Sequence, residues 1–320
     1  MPRDHLAALV APFGPTRPAD ELVRAINQIY HACEAATYDT THPEIFTDLP
    51  AVWDQLVAHA ALPPGRLTIV DYGCGTGFAA SQVLRLLGTE RIARLLCFDP
   101  SPEMLARCES RLRGAAVDVR FASTLETFAG EAIDVLLTSS VLHHLPDPLA
   151  PARELRLKPG GVWLAGHEPS ARYYRNPACL ALWRRFERER RVRTLLSPRR
   201  LWAIARQRLG LASDVASLTA REVAARGWFR RAPDPRTIDR IVDLHVAHDA
   251  DEAAAGRGLD VDALTTDLGD AWALQWTTSY SFLGATPERT APTKWRDAAA
   301  DLARTYPRDG AHFCAIWMVR

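Results

Sequence analysis

Apolar positions along this chain follow two rhythms. Leu67–Val70, Ile92–Phe98, Val117–Ala122 and Ile133–Ser140 are short, nearly continuous apolar runs rich in branched residues, the pattern of strands buried on both faces. After the first run, Ala79, Ala80, Val83, Leu84, Leu86 and Leu87 recur at helix spacing. This alternation predicts a parallel α/β sheet. Upstream, Asp20–Ala36 gathers Leu22, Val23, Ile26, Ile29 and Tyr30 on one face, and Ile45–Ala61 gathers Leu49, Val52, Trp53, Leu56 and Val57, so two amphipathic helices precede the sheet. Downstream, Leu157–Ala165 predicts a fifth strand. Ala273–Gly284, with Trp276, Tyr280 and Phe282 alternating, and Ala311–Val319 predict a closing antiparallel pair. Roughly a hundred residues separate strands five and six, far more than one crossover helix needs. Helical patterns at Ala178–Arg193, Pro198–Leu209, Thr219–Arg226 and Pro235–Ala254 fill them, which reads as a crossover helix plus an inserted helical cap. The segments Ala250–Leu259 and Thr286–Thr293 are expected to be the most mobile.

The first strand ends in Asp71, and Gly73, Gly75 and Gly77 follow at every second position before the helix opens. Glycine tolerates positive φ and lets backbone approach a ligand, and a helix N-terminus favours negative groups. A dinucleotide fingerprint would carry its third glycine where Phe78 stands, which disfavours an oxidoreductase of that type. Asp-x-Gly-x-Gly-x-Gly resembles motif I of the class I S-adenosylmethionine (SAM) methyltransferases. Further motifs match in order: strand two ends at Asp99, Pro100-Ser101-Pro102-Glu103-Met104 opens a helix, Leu142-His143-His144-Leu145-Pro146-Asp147-Pro148 follows strand four, and Leu157-Lys158-Pro159-Gly160-Gly161 leads into strand five. The resemblance covers residues 65–170. It implies a doubly wound α/β sheet of seven strands with the last antiparallel, here with an N-terminal helical lid (1–64), a SAM-binding core (65–170), a helical insertion (171–271) and closing strands (272–320).

Composition narrows the partners. Thirty-nine Lys and Arg against 38 Asp and Glu leave a net charge of +1, which argues against general affinity for nucleic acid or an anionic membrane. No apolar stretch approaches the roughly 18 residues of a membrane helix, and no signal-peptide core is seen near the start. The six cysteines, scattered without a Cys-x-x-Cys pair, suggest neither a disulfide framework nor a zinc site and fit a cytoplasmic protein. Abundant Ala and Arg suggest a bacterial source. The arginines at 184, 185, 188, 190, 191, 193, 199, 200, 206 and 208 read first as a solvated helix face, with Leu180, Leu182, Trp183 and Phe186 packing inward.

The resemblance implies a SAM site in which Asp71, Gly73, Gly75 and Gly77 hold the methionine end and Asp99 accepts from the ribose hydroxyls. Pro100, Met104 and Ser139 complete it, and Ser123 and Thr124, where relatives often place aspartate, would flank adenine. Candidate acid–base groups cluster after strands four and five: Glu168, His143 and Tyr173 as catalytic, with Tyr30, Tyr38, His144 and Tyr174 lining the acceptor pocket. His31 and His42 read as ordinary surface residues. Adjacent histidines without helix spacing suggest no metal. The expected activity is methyl transfer from SAM to O, N or C of a small molecule, in bacterial secondary metabolism, by a monomer or homodimer. A SAM cyclase or lyase releasing methylthioadenosine, of the azetidine-2-carboxylate type, and a catalytically silent SAM-binding protein stay open. A wide cap cavity would favour methyl transfer.

Overall fold

The computed structural model describes residues 3–195, 214–247, 252, 257–284 and 286–320. The helix expected over Pro198–Leu209, the arginines at 199, 200, 206 and 208, the side chain of Arg193 and much of the segment 250–259 lie outside them. The described residues form one seven-stranded sheet: β1 (Leu67–Tyr72), β2 (Ile92–Phe98), β3 (Asp118–Ala122), β4 (Ile133–Ser139), β5 (Leu157–Pro169), β6 (Trp272–Tyr280) and β7 (His312–Val319). Their order is β3-β2-β1-β4-β5-β7-β6. Strands β1 to β5 pair in parallel, and β7 runs antiparallel to both of its neighbours. This is the doubly wound arrangement expected from the alternating pattern.

Successive strand residues point to opposite faces, and each face has its own core. Ile69, Val135, Leu137 and Leu164 pack with Trp53 and Leu56 of α3 (Leu49–His59) and Ala80 and Val83 of α4 (Phe78–Leu87). Val70, Leu96, Leu136, Trp163 and Trp317 pack on the other side with Val261 and Leu264 of α9 (Val261–Leu268), the crossover helix ahead of β6. Burying such a side chain contributes about 1.5–3 kcal/mol.

Two further cores lie outside the sheet. Leu22, Val23 and Ile26 of α2 (Ala19–Glu34) pack with Leu6 and Val10 of α1 (Arg3–Val10), Val223 of α7 (Val215–Ala225) and Ile238 and Ile241 of α8 (Pro235–Val242). The N-terminal helices and the insertion thus share one core although about 180 residues separate α2 from α7 in the chain. Tyr173, Tyr174, Trp183, Phe186 and Phe282 form the other, with α6 (Pro177–Leu195) against Trp295 and Ala299 of α10 (Thr293–Thr305).

The structure departs from expectation at several element ends. Helix α8 stops at Val242, where Asp243 leaves the helical region (φ −97°, ψ 64°), instead of running to 254. Strand β6 stops at Tyr280 because Ser281 turns to φ 64°. Helix α10 occupies the connection between β6 and β7 and was not anticipated. Its inner face is largely alanine, which weakens the periodic signal. Segment 286–293 holds a short 3-10 turn, Glu288–Thr290, leading into that helix.

Candidate functional site

The strand order reverses between β1 and β4, and open α/β sheets place ligands in the crevice outside the carboxyl ends at that point. A cavity of about 450 Å³ sits there. The loop from β1 to α4 forms its floor with Gly73, Gly75 and Gly77 at φ 68°, 52° and 83°. A Cβ on Gly73 would meet Val141 Cγ2 at 2.8 Å, and one on Gly77 would meet Cys108 Sγ at 2.8 Å, so the backbone packs where no side chain fits. Gly77 caps α4 from behind and does not itself line the cavity.

Two buried carboxylates face this cavity. Asp71 Oδ2 accepts from the Ala80 amide at 3.0 Å, while Oδ1 is buried without a partner. An orphaned carboxylate oxygen beside a cavity marks a place for a ligand donor. Burial pushes the Asp71 carboxyl well above its ordinary range. Asp99 accepts from Gly75 N and Ser101 N, both at 2.9 Å, which ties the glycine loop to the N-terminus of α5 (Pro102–Leu112) and leaves each oxygen a second lone pair. Burial raises its carboxyl too, against those two bonds. Pro100, Met104, Ser139, Tyr38 and His144 also line the cavity. Ser123 and Thr124 are exposed and do not, because the chain turns away after β3. Phe98 and Ser101 line the cavity on this side.

The lid is fastened directly to this loop. Asp39 accepts from Thr76 Oγ1 at 2.8 Å and pairs with Arg111, and Gln28 Nε2 donates to Pro100 O at 2.8 Å. Asp39 belongs to the Tyr38-Asp39 pair that the family resemblance sets in the lid, whereas Gln28 did not stand out in the sequence, since it acts across tens of residues. Burial pushes the Tyr38 phenol above its ordinary range.

A second cavity of about 680 Å³ adjoins the first and shares His31, Tyr38, Ile45, Leu49, Ser140 and His144 with it. Six of the ten histidines line it: His31, His42, His143, His144, His167 and His312. The three non-glycine residues at positive φ among the described residues, Ser140 (57°), His167 (60°) and Ser281 (64°), all lie on its wall. Strained backbone gathers at functional sites because surrounding structure must hold it. Tyr30 and Tyr174 line this cavity; burial pushes Tyr174 up to about 12.

Topology explains the convergence. Antiparallel β7 begins where β5 ends, so His312 lies opposite Pro169 and opposite Tyr280 at the end of β6. His312 stacks on His167 with ring centroids 4.1 Å apart, and its Nδ1 is buried without a partner. His167 Nδ1 meets Tyr280 OH at 2.6 Å. Burial brings His312 down to about 4 and holds His167 and His144 well below the ordinary range, so these rings are neutral. His31 and His42, read from the sequence as surface residues, also line this cavity. His42 bridges Glu34 at 3.0 Å and Glu44 at 3.1 Å.

The three sequence-predicted catalytic residues separate. Glu168 is fully buried and lines neither cavity. Its Oε1 accepts from Val141 N (2.9 Å) and Leu142 N (3.0 Å), and Oε2 accepts from His143 N (3.3 Å) and meets His143 Nδ1 at 2.9 Å. Its expected position at the pocket mouth is therefore corrected: the carboxylate turns under the loop after β4 and organises it. Tyr173 is fully buried in the cap core, its hydroxyl accepting from Gly284 N at 3.0 Å and donating to Phe282 O at 3.3 Å, and it lines neither of the two cavities. The structure turns only His143 of the three toward the second cavity, with Nδ1 fixed by Glu168. Burial lowers its proton affinity, but the hydrogen bond to Glu168 outweighs this and leaves it raised.

Two dispersed segments, the glycine loop and the β2 terminus, thus build a cradle with the architecture of a class I SAM-dependent methyltransferase. Residues 70–165 match the family model described as a methyltransferase domain. The chain is 36% identical over 130 residues to a ubiquinone biosynthesis O-methyltransferase of Cereibacter sphaeroides, covering 38% of this chain and 48% of that protein. It is 35% identical over 120 residues to the protein of the same name from Xanthomonas campestris, covering 35% and 47%. The chain spans about half the length of these curated relatives. A solved SAM-dependent methyltransferase from Mesorhizobium loti aligns over 84% of this chain and 97% of its own, with 20% identity and a TM-score of 0.40. No helix among the described residues is long and apolar enough to cross a membrane.

Proposed function

We propose that this protein transfers the methyl group of SAM to a small-molecule acceptor held in the histidine-lined cavity. The observation that carries this reading is the pair of joined cavities, one on the glycine loop and Asp99, the other walled by lid, insertion and closing strands. A cyclase acting on SAM alone needs no second chamber, and about 680 Å³ is ample for a separate substrate. The curated relatives' names favour an oxygen acceptor.

In this reading Asp99 and the loop amides orient SAM, and Asp71 Oδ1 receives a donor from it. Tyr38, His144 and Ser140 stand at the junction where methyl donor and acceptor meet. Alignment of the two reactants supplies the largest part of the acceleration, about 7–11 kcal/mol in well-oriented systems. His143, held by Glu168, presents Nε2 to the acceptor. The neutral rings of His167 and His312 hydrogen-bond acceptor oxygens without adding charge.

Mass spectrometry of the purified protein tests this. S-adenosylhomocysteine formed from SAM only when a bacterial metabolite extract is present, with a methyl mass gained by one metabolite, is the expected result. Methylthioadenosine formed from SAM alone would overturn the reading.

A further inference from the structure

Three cysteines that stand apart in the chain meet beneath the glycine loop. Cys74 belongs to the loop, Cys97 to β2 and Cys108 to α5, and their Sγ atoms all lie within 4.8 Å of one another. All three are buried, yet Cys74 lines the first cavity. The geometry points to Cys74 and Cys108 as a dithiol that peroxide, entering the first cavity when no cofactor fills it, oxidises to a disulfide that closes the SAM site.

Each sulfur is placed for its part. A Cβ on Gly77 would meet Cys108 Sγ at 2.8 Å, so this sulfur packs directly on the loop that carries Cys74. Gly73 and Gly75 flank Cys74 at positive φ, and their backbone freedom lets the loop draw its sulfur toward α5. Cys97 is fixed in the ladder opposite Asp71 and Phe121 and does not line the cavity. Donation from the Cys74 and Cys97 thiols holds the Cys108 thiol well below its ordinary range, with Arg111 adding to the effect. Negative charge in the trio therefore settles on Cys108, while burial pushes Cys74 up. A thiophilic cation on all three sulfurs would add thiolate charge beside the buried Asp71 and Asp99; a disulfide is neutral.

Cys74 passes its proton to the Cys108 thiolate and attacks peroxide, breaking the O–O bond. Hydroxide leaves and takes a proton from solvent, and Cys74 becomes a sulfenic acid. The Cys108 sulfur then attacks the Cys74 sulfur, the S–O bond breaks, and the oxygen departs as water with the Cys108 proton. Two thiols are oxidised and one peroxide is reduced to two waters. The sulfurs must close to about 2.05 Å, which pulls the loop inward. Gly73 and Gly75 line the cavity and Gly75 N is held by Asp99, so this movement disturbs the cofactor floor. The disulfide stands on the geometry of the thiols; its effect on SAM rests on reading the first cavity as the SAM site.

The test uses the reduced full chain in chelator-containing buffer, with its SAM Kd measured first. After stoichiometric hydrogen peroxide, free thiols are blocked and the digest is mapped by mass spectrometry. A peptide pair linked through Cys74 and Cys108 is expected, reversed by dithiothreitol and prevented by saturating SAM. SAM affinity should fall by about 10-fold or more on oxidation, the size of one lost charge-assisted bond, and recover on reduction. Cys108→Ser should abolish the link and Cys33→Ser, outside the trio, should leave it unchanged. No link, or one joining other cysteines in the wild-type chain, overturns the site. Unchanged SAM affinity in fully oxidised protein overturns its effect on the cofactor. A reduced chain that forms the link but binds no SAM removes the cofactor reading and leaves the dithiol standing.

Discussion

The two cavities share a wall but differ in what forms their base. The first is floored by two contiguous segments, Asp71 to Thr76 and Phe98 to Met104, and walled by the lid (Gln28, His31, Tyr38) and by Ser139, Ser140 and His144 after β4. The second draws its histidines from the lid (His31, His42), the loop after β4 (His143, His144), the end of β5 (His167) and the start of β7 (His312). A cofactor shared by many enzymes can be held by one continuous loop whose backbone does the binding. An acceptor particular to one enzyme is met by side chains gathered from distant elements, so its site is a property of the topology.

The largest expected effect tests the base of the second cavity. Glu168→Ala leaves three amides and an imidazole without their buried acceptor, and loss of such a group costs on the order of 3–5 kcal/mol. A pronounced drop in melting temperature is expected; an unchanged one would mean the carboxylate does not organise the loop. Asp99→Ala sharpens the contrast from the first cavity. Removing charge-assisted bonds worth about 1.5–3 kcal/mol each should weaken SAM binding by about 100-fold, as calorimetry would read, with a smaller effect on melting. Tyr173→Phe removes the hydroxyl held by Gly284 and Phe282 and should cost about 1 kcal/mol of stability while turnover persists. Lost turnover with normal melting would restore a catalytic place to Tyr173.

The smallest effect concerns the lid. Burial opposes ionisation of both partners, yet hydrogen bonds prevail: those to Glu34 and Glu44 take His42 up to about 9, and those to His31 and His42 take Glu34 down to about 2. The His42 contribution is complete below its ordinary 6.5 and is lost as pH rises through about 9. The Glu34 contribution is complete above its ordinary 4.5 and is lost as pH falls through about 2. Lid protection measured by limited proteolysis should therefore be greatest between about 4.5 and 6.5 and decline toward 9. A flat profile would mean that the Glu34–His42 pair does not hold the lid.

Legibility in the sequence followed the same division. The five parallel strands, the glycine loop and Asp99 were readable because periodicity and local motifs encode them. Helix α10 was not, because its alanine face gives little contrast. His312 could be placed only through the antiparallel register that sets it beside Pro169 and Tyr280. Glu168 was noticed for its place at the end of a parallel strand, but its direction depends on which donors the folded loop offers.

The central claim, that one cavity holds SAM and the other governs transfer, is tested most directly by His143→Ala. S-adenosylhomocysteine release at saturating SAM would be measured beside the SAM Kd on the same folded sample. The account predicts an unchanged Kd with turnover lowered by about 10²–10⁴-fold, the usual range for a group handling the acceptor proton. Wild-type turnover, or a lost SAM Kd, would contradict it.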